Sequence, residues 1–256
     1  MTAVALDHEV RGDDGAPVLL LLGSLGTSHA MWDPQVGPLA ERLRVVRATQ
    51  RGHGASPVPP GPYTIADLGQ DAVALLDRLG VDRAHVAGLS LGGMTGMWLG
   101  AHAPDRVASL TLLCTSPYLP GEYHERAAAV RAAGTTAGVA DGAVDRWLTP
   151  AFAAAHPDTV AWLRDMIVST PAEGYAACCE ALAAMDLRGD LAAIDAPTLV
   201  VAGADDPSTP PDHAERIAAG VDGARVVVLD DARHLASVER SDEVTDLILR
   251  HAEEAR

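Results

Sequence analysis

Residues Ala84 to Pro104 read AHVAGLSLGGMTGMWLGAHAP, a short apolar run followed by a glycine-rich segment with apolar residues at helical spacing. Gly88 and Gly92 flank Ser90 in a G-x-S-x-G pattern, which is typical of a sharp turn that exposes a serine hydroxyl. Small residues are needed there because the strand and the helix approach each other closely. We therefore predict a buried strand, a tight turn with Ser90 at its corner, and a helix that ends before Pro104.

The rest of the chain alternates between strand-like and helix-like patterns. Further strands are predicted at Ala3 to Val10, Val18 to Leu22, Arg44 to Ala48, Val107 to Cys114, Thr198 to Gly203 and Arg225 to Asp230. Helices are predicted at Asp33 to Leu43, Ile65 to Leu79, Pro211 to Ala219 and Ser241 to His251. Such alternation predicts an α/β fold with a mostly parallel, doubly wound sheet.

The segment between the strands that end at Cys114 and begin at Thr198 has a different composition. From Pro117 to Ile194 the chain is alanine-rich and helix-prone, with several glycine and proline breaks and no clear strand. We predict that residues 117–194 form an inserted helical cap of about four short helices, while residues 1–116 and 195–256 form the core. A cap over the sheet edge would close a site there to bulk water.

Composition limits the possible partners and the compartment. The 256 residues are 48% hydrophobic and carry a net charge of −16, which disfavours nucleic acid and anionic membranes as partners. The first residues show no basic start followed by an apolar run, and no apolar run has the length of a membrane span, so we expect a cytoplasmic protein. Cys114, Cys178 and Cys179 lack metal-ligand spacing, and we expect reduced thiols and no bound metal.

Two polar residues follow late strands and complete a catalytic pattern with Ser90. A serine hydroxyl needs a base to take its proton, and the base needs a third group to orient it. His234 follows the predicted strand that ends at Asp230, and Asp206 follows the strand before it, with Asp205 as the alternative acid. The carboxyl ends of parallel strands share one edge, so these groups are expected to converge. His53 precedes the nucleophile in the chain, and we interpret it as structural.

The loop after the second strand is suited to receive negative charge. It reads GSLGTSHAMW from Gly23, and its small residues would let a backbone N–H group point at a developing oxyanion. The N–H group of Leu25 is the candidate donor.

Across nearly its whole length, the sequence resembles the 3-oxoadipate enol-lactonases of the α/β-hydrolase superfamily. The matching pieces are SLGT and MWDPQ between Ser24 and Gln35, then RGHGAS, GPYTIADL, AGLSLGGMTGMWL, RWLTPAF, TPAEGYAACCEAL and AGADDPSTPP. Three of these pieces are common to many hydrolases of this superfamily: the turn at Ser90, RGHG, and the piece AGADDPSTPP that carries Asp206. RWLTPAF and TPAEGYAACCEAL discriminate better, because caps vary with substrate.

The resemblance implies a nucleophile at Ser90, an acid at Asp206, a base at His234 and oxyanion donors in the N–H groups of Leu25 and Leu91. It implies a cofactor-free serine hydrolase of aromatic catabolism that opens an enol-lactone to a 3-oxo acid through an acyl-serine intermediate. Another α/β-hydrolase activity remains open: a small-ester esterase, a perhydrolase or a biosynthetic tailoring enzyme. A hydrolase-like receptor for a small molecule also remains open. The sequence does not determine the oligomeric state.

Two positions depart from the family pattern. Gly23 stands where members usually have an Asn, and Thr49 and Gln50 stand where an Asp precedes the Arg-Gly-His-Gly turn. The first departure concerns how the loop that carries Leu25 is supported, and the second removes a structural partner and bears on substrate specificity.

An anionic lactone requires a local positive charge, because a protein of net charge −16 repels it. Arginine suits this role because its planar guanidinium holds a carboxylate through two hydrogen bonds. Arg131 and Arg146 of the predicted cap are the first candidates, followed by Arg188 and Arg233. Trp147 is the predicted aromatic contact to the substrate.

Overall fold

The computed structural model describes residues 2–255 and contains one seven-stranded sheet. The strands lie in the order β1-β3-β2-β4-β5-β6-β7, in which β1 is antiparallel to β3 and all other neighbours are parallel. Their bounds are β1 His8–Arg11, β2 Val18–Leu22, β3 Arg44–Ala48, β4 Ala84–Leu89, β5 Val107–Leu113, β6 Thr198–Gly203 and β7 Arg225–Leu229. The predicted α/β class with a mostly parallel sheet is confirmed.

Eleven α-helices connect or follow these strands in the described part of the chain. They are α1 Asp33–Ala40, α2 Ile65–Arg78, α3 Leu91–His102, α4 Tyr123–Ala133, α5 Ala137–Trp147, α6 Pro150–Ala155, α7 Pro157–Val168, α8 Ala172–Ala184, α9 Pro211–Gly220, α10 Ala236–Glu239 and α11 Ser241–Glu254. Among residues 2–255, no helix has both the length and the apolar character that crossing a membrane requires.

Strand β2 shows how the sheet is buried on both faces. Successive side chains of a strand point to opposite faces, so a strand covered by helices on both sides is apolar throughout. Leu20 and Leu22 belong to the core that includes α2 and α3, whereas Leu19 and Leu21 belong to the core that includes α1 and α11. This central position fixes the carboxyl end of β2, from which the loop with Leu25 emerges.

The first strand is shorter than the prediction, which placed its start at Ala3. Before β1, the backbone N–H groups bond to side chains outside the sheet. The N–H of Val4 donates to Asp71 Oδ1 at 2.7 Å, and the N–H of Asp7 donates to Ser56 Oγ at 2.9 Å. Side-chain acceptors thus replace the ladder partners of an extended strand.

Five helices, α4 to α8, lie between β5 and β6, one more than the four expected. Pro150 and Pro157 each occupy the first helical position of α6 and α7, where the missing N–H group and the fixed φ angle favour a new helix. Helix α4 packs on α8, and α5 packs on α7. The division into a core and a cap at residues 117 and 194 stays a prediction.

Candidate active site

Ser90 occupies the corner between β4 and α3 in an unusual backbone conformation. Its φ and ψ angles are 55° and −113°, and the positive φ lies in the region that favours glycine. The N–H of Ser90 donates to the Leu113 carbonyl at 2.9 Å, and Thr115 Oγ1 donates to the Ser90 carbonyl at 2.7 Å. Strained residues persist where the surroundings hold them, and such residues concentrate at functional sites.

The two glycines of the motif allow this corner to form. A Cβ atom on Gly88 would lie 2.2 Å from the Gly92 carbonyl oxygen, and one on Gly92 would lie 2.2 Å from the Leu22 carbonyl oxygen. No side chain fits at either position without moving β2, β4 or α3. The G-x-S-x-G pattern therefore has the predicted steric basis.

Asp206 and His234 form a buried pair at the ends of β6 and β7. His234 Nδ1 and Asp206 Oδ2 are 2.8 Å apart, and the other Asp206 oxygen accepts the N–H of Ser208 at 2.8 Å. Thr209 Oγ1 also donates to Asp206 Oδ2, at 2.7 Å. Burial alone would raise the pKa of Asp206, but the interaction with His234 and these hydrogen bonds outweigh it and hold the pKa below its usual range. An ionised Asp206 keeps the His234 proton on Nδ1 and leaves Nε2 as the acceptor.

The structure also separates the two neighbouring acids. The Asp205 side chain is exposed, and its backbone N–H donates to the Ala232 carbonyl at 3.0 Å. Among residues 205 and 206, only Asp206 bonds to the histidine ring.

Ser90 and His234 line one cavity of about 190 Å³ at the carboxyl edge of the sheet, below helices α4, α5 and α8. Asp206 is bonded to His234 but does not itself line the cavity. The other lining residues are Ser24, Leu25, Leu119, Tyr123, Arg126, Ala143, Arg146, Trp147, Tyr175, Leu182, Ser208 and Thr209. The structure thus brings the candidate nucleophile, base and acid to one place from three separate strand ends.

The two candidate oxyanion donors flank this place. Leu25 follows β2 and lines the cavity, and Leu91 is the first residue of α3. For neither residue does the described chain supply an acceptor to the backbone N–H group. The N–H of Leu91 is one of the first four of its helix, which have no intrahelical acceptor, so both N–H groups are available to a ligand beside Ser90.

Three of the four arginines that were candidates for binding a substrate carboxylate do not line the cavity. Arg131, named as a first candidate, is not among the residues that line the cavity, because its guanidinium pairs with Glu173 at 2.8 Å and with Glu180. Arg188 pairs with Asp186. Arg233 Nη1 donates to the carbonyl of Leu148 at 3.3 Å, at the end of α5. Their guanidinium groups are engaged by protein oxygens.

Arg146 and Trp147 line the cavity, as does Arg126, which sequence reasoning missed. The guanidinium of Arg126 lies 5.1 Å from the centre of the Tyr123 ring, and this i,i+3 spacing on α4 was the available signal. No carboxylate of residues 2–255 lies within 4.0 Å of either cavity arginine. Burial lowers the pKa of Arg146, and the positive charge of Arg126 lowers it further. Tyr175 lines the cavity together with these two arginines.

None of the three cysteines is among the residues that line the cavity. Cys114, Cys178 and Cys179 are buried and unlinked, and burial raises the pKa of Cys179 to about 12. Within the described residues, no group of three or more His, Cys, Asp or Glu side chains is arranged to hold a metal ion.

Comparison with known proteins agrees with this geometry. A sequence model described as the alpha/beta hydrolase fold matches residues 17–241. The 3-oxoadipate enol-lactonase 2 of Acinetobacter baylyi is 39% identical over 240 residues, which cover 93% of this chain and 89% of that protein.

Two solved structures are similar along nearly the whole chain. The enol-lactonase from Burkholderia xenovorans LB400 superposes with a TM-score of 0.94 at 38% identity, covering 97% of this chain and 96% of that one. A thermophilic esterase from Thermogutta terrifontis, solved with malate bound, has a TM-score of 0.91 at 31% identity, covering 98% and 94%. The predicted resemblance is confirmed: this chain belongs to the α/β-hydrolase family and is related to its 3-oxoadipate enol-lactonases.

Proposed function

We propose that this protein is a cofactor-free serine hydrolase that opens 3-oxoadipate enol-lactone, or a close enol-lactone, to the 3-oxo acid. The observation that carries the proposal is one cavity that holds Ser90, His234 and two arginines without a carboxylate partner. The first two groups suit acyl transfer, and the arginines suit an acyl donor that carries a carboxylate.

In the acylation step, Ser90 Oγ attacks the lactone carbonyl carbon while His234 Nε2 takes the hydroxyl proton. The carbonyl oxygen becomes negative, and the N–H groups of Leu25 and Leu91 receive it. Asp206 stabilises the imidazolium that forms. Donors that are already oriented before the reaction stabilise this charge without reorganisation, and loss of one such donor costs on the order of 10²–10³ in turnover in other serine hydrolases.

Collapse of the tetrahedral intermediate breaks the ring C–O bond and leaves an acyl group on Ser90. The leaving oxygen departs as an enolate, which is a better leaving group than an alkoxide, and it takes the proton from His234 Nε2, so His234 is neutral again. The enol form then tautomerises to a ketone, which removes the nucleophile that could close the ring again. A water molecule deprotonated by His234 attacks the acyl-serine and releases the acid, and Ser90 recovers its proton.

The arginines supply the reason to favour a carboxylated lactone over a neutral ester. Arg126 and Arg146 repel each other, and the net charge of the chain is −16, yet neither guanidinium has an acidic partner in the described chain. A carboxylate in the cavity would neutralise this local charge and accept hydrogen bonds from both groups. The substrate's carboxylate fills that role in the proposed reaction.

A continuous ultraviolet assay of enol-lactone loss tests the proposal. The wild-type protein is expected to consume the lactone, and Ser90→Ala is expected to lower turnover by several orders of magnitude. Equal turnover by Ser90→Ala would contradict the nucleophile. Absence of lactone turnover in a wild-type protein that cleaves simple esters would contradict the substrate.

The similarity to the Thermogutta terrifontis esterase favours a small-ester esterase as the second candidate. The two functions differ in the ratio of kcat/KM for the carboxylated lactone to kcat/KM for 4-nitrophenyl acetate. A high ratio is expected for the lactonase, and a ratio below one would favour the esterase. Turnover of either compound by wild type but not by Ser90→Ala would argue against a pure receptor.

A further inference from the structure

Gln50 is a buried glutamine on the loop after β3. The nitrogen and the oxygen of its side-chain amide each make a hydrogen bond to a different segment of the candidate site. Its Nε2 donates to the Gly23 carbonyl at 2.7 Å, and its Oε1 accepts from Thr95 Oγ1 at 3.0 Å. A donor meets an acceptor at each end, so the network fixes the orientation of the amide. Gln50 as a whole is 5% exposed, and Thr95 is fully buried.

These two contacts reach the two segments that carry the candidate oxyanion donors. Gly23 lies two residues before Leu25 in the loop after β2. Thr95 lies one helical turn after Leu91, and the single proton of its hydroxyl is shared between Gln50 Oε1 and the Leu91 carbonyl, whose oxygen lies 2.9 Å from Thr95 Oγ1. Gln50 therefore connects the loop with one unpaired N–H group to the helix start with the other.

The loop after β2 has a second support, which lies on the other side of Leu25 from Gly23. The N–H of Gly26 donates to His53 Nε2 at 2.9 Å, so Leu25 lies between two residues whose backbone groups are held by buried side chains. Gly23 cannot brace the loop itself, because a Cβ atom there would lie 2.8 Å from Thr27 Oγ1 and 2.9 Å from Met31 Sδ. The support on this side comes from across the sheet edge, from Gln50.

We infer that Gln50 is a positioning residue that sets the spacing between the Leu25 and Leu91 N–H groups. The inference rests on the proposed function, because it assigns those groups to the oxyanion. A misplacement of about 1 Å in a catalytic geometry costs up to about 10²-fold in rate. Loss of the Gln50 amide is therefore expected to lower kcat while leaving KM nearly unchanged, because the donors act on charge that develops only in the transition state.

The test compares Gln50→Ala with Gln35→Ala. Gln35 is a matched control, since it is also buried and its Nε2 donates to the Ser237 carbonyl at the same distance of 2.7 Å. Both variants lose one buried amide-to-carbonyl hydrogen bond, so both are expected to melt at a lower temperature. With 4-nitrophenyl acetate, assayed well below both melting temperatures, Gln50→Ala is expected to lose about 10- to 100-fold in kcat, and Gln35→Ala less than about 2-fold.

A transition-state probe separates positioning from general destabilisation. Phenylboronic acid accepts Ser90 Oγ at boron and becomes a tetrahedral anion, so its affinity reports on the oxyanion donors. Its Kd is expected to rise in Gln50→Ala by about the factor that kcat falls, and to stay unchanged in Gln35→Ala. Thr95→Val is expected to reproduce the Gln50→Ala pattern, while Thr95→Ser, which keeps the hydroxyl, restores most of kcat.

The outcomes distinguish this inference from the proposed function. If Ser90→Ala is inactive but Gln50→Ala keeps wild-type kcat and boronate affinity, the inference is wrong and the proposed function stands. If Gln35→Ala loses as much kcat as Gln50→Ala, the effect is loss of stability and the inference is equally wrong. If Ser90→Ala is fully active, the proposed function itself fails.

Discussion

At the scale of single residues, the proposed role of Ser90 as nucleophile depends on which nitrogen of His234 carries the proton. Asp206 Oδ1 accepts the backbone N–H groups of Ser208 and Thr209, at 2.8 and 3.2 Å, and Oδ2 faces His234 Nδ1. Two backbone donors thus fix which oxygen turns toward the ring. The carboxylate itself determines the histidine tautomer, because either oxygen of an ionised Asp206 can only accept a proton from Nδ1.

Asp206→Asn is expected to leave the fold intact and to lower kcat by on the order of 10⁴. The Asn oxygen would keep the two backbone N–H donors, so its amide nitrogen would face His234 Nδ1 and donate to it. The ring proton would then sit on Nε2, where a proton acceptor is needed. Steady-state turnover of 4-nitrophenyl acetate measures the loss, and circular dichroism checks the fold.

Asp205→Asn is the control for this change, because the Asp205 side chain is exposed and does not bond to His234. Its kcat is expected to stay within about 2-fold of wild type. A larger loss in Asp205→Asn than in Asp206→Asn would reverse the assignment of the acid.

His53 illustrates a buried histidine that supports the site while remaining neutral. Its Nδ1 contacts the Arg51 carbonyl at 3.1 Å, and its Nε2 accepts the N–H of Gly26, so a second proton would remove the acceptor. Burial lowers the pKa of His53 to about 4. The ordinary histidine pKa is about 6.5, so the unfolded chain binds more protons than the folded chain between these values.

Stability is therefore expected to fall as the pH decreases from 6.5 toward 4, and His53 accounts for on the order of 2 kcal/mol of the loss between pH 7 and pH 5. His53→Gln keeps an acceptor for Gly26 and cannot titrate, so its unfolding free energy should depend less on pH by that amount. Urea unfolding of both proteins at pH 7 and pH 5 measures the difference. Equal pH dependence would show that His53 is not the titrating group.

At the scale of elements, the successful predictions concern features that depend on residues close together in the sequence. The corner at Ser90 follows from the two flanking glycines, because neither position accommodates a Cβ atom. The start of β1 was wrong because Asp71 and Ser56, distant in sequence, bond the backbone ahead of the strand. Local patterns do not contain such partners.

The cavity arginines show the same limit on helix α4. Arg126 and Arg131 lie on one helix, and sequence alone does not say which of them turns toward the sheet edge. In the structure, Arg131 forms ion pairs with Glu173 and Glu180, residues of α8 that approach α4 only in the folded chain. Arg126 is left at the cavity. Tertiary packing, and not helical periodicity, separates the two residues.

Arg126→Ala is expected to lower kcat/KM for the carboxylated lactone about 10- to 150-fold, which corresponds to the 1.5–3 kcal/mol of a hydrogen bond to a charged group. The reason is the loss of a cation that faces the substrate carboxylate. Activity toward 4-nitrophenyl acetate should change little, because that ester has no carboxylate. Parallel kinetics on the two substrates measure the ratio.

Arg131→Ala serves as the control on the same helix. It removes ion pairs with Glu173 and Glu180 but no group at the cavity, so the ratio of the two activities should stay at its wild-type value. If both variants change the ratio equally, the effect is a shift of α4. If neither Arg126→Ala nor Arg146→Ala changes it, an anionic lactone is not the substrate.

At the scale of the whole molecule, the loop that carries His234 is bonded to the helices between β5 and β6. The N–H of Leu235 donates to the Trp147 carbonyl at 3.0 Å, at the end of α5. On the other side of His234, the N–H of Arg233 donates to Glu239 Oε2 at 2.6 Å. The sequence placed His234 after the last strand but gave no indication of the bond between Leu235 and Trp147, because it joins residues 88 positions apart.

Glu239 connects the start of α6 to the loop that carries His234 through one carboxylate. Its Oε1 accepts both the N–H and the Oγ1 hydroxyl of Thr149, at 2.7 and 2.8 Å, where α6 begins, and its Oε2 holds the Arg233 N–H. Glu239→Ala would leave these donors without their acceptor, so we expect it to lower the free energy of unfolding by about 1.5–3 kcal/mol. Because the backbone beside His234 would lose its anchor, kcat should also fall, by about tenfold, with KM little changed.

Glu243→Ala provides the comparison, because Glu243 makes an exposed ion pair with Arg240 one turn along the chain, and such pairs contribute about 0–1 kcal/mol. Urea unfolding and steady-state kinetics on both variants separate the two carboxylates. If Glu239→Ala lowers stability and leaves kcat unchanged, its carboxylate fastens the helices to the sheet without holding the base. If kcat falls in Glu239→Ala alone, the helices that cover the cavity also position the histidine beneath them, and changes in those helices will alter the rate of reaction as well as the choice of substrate.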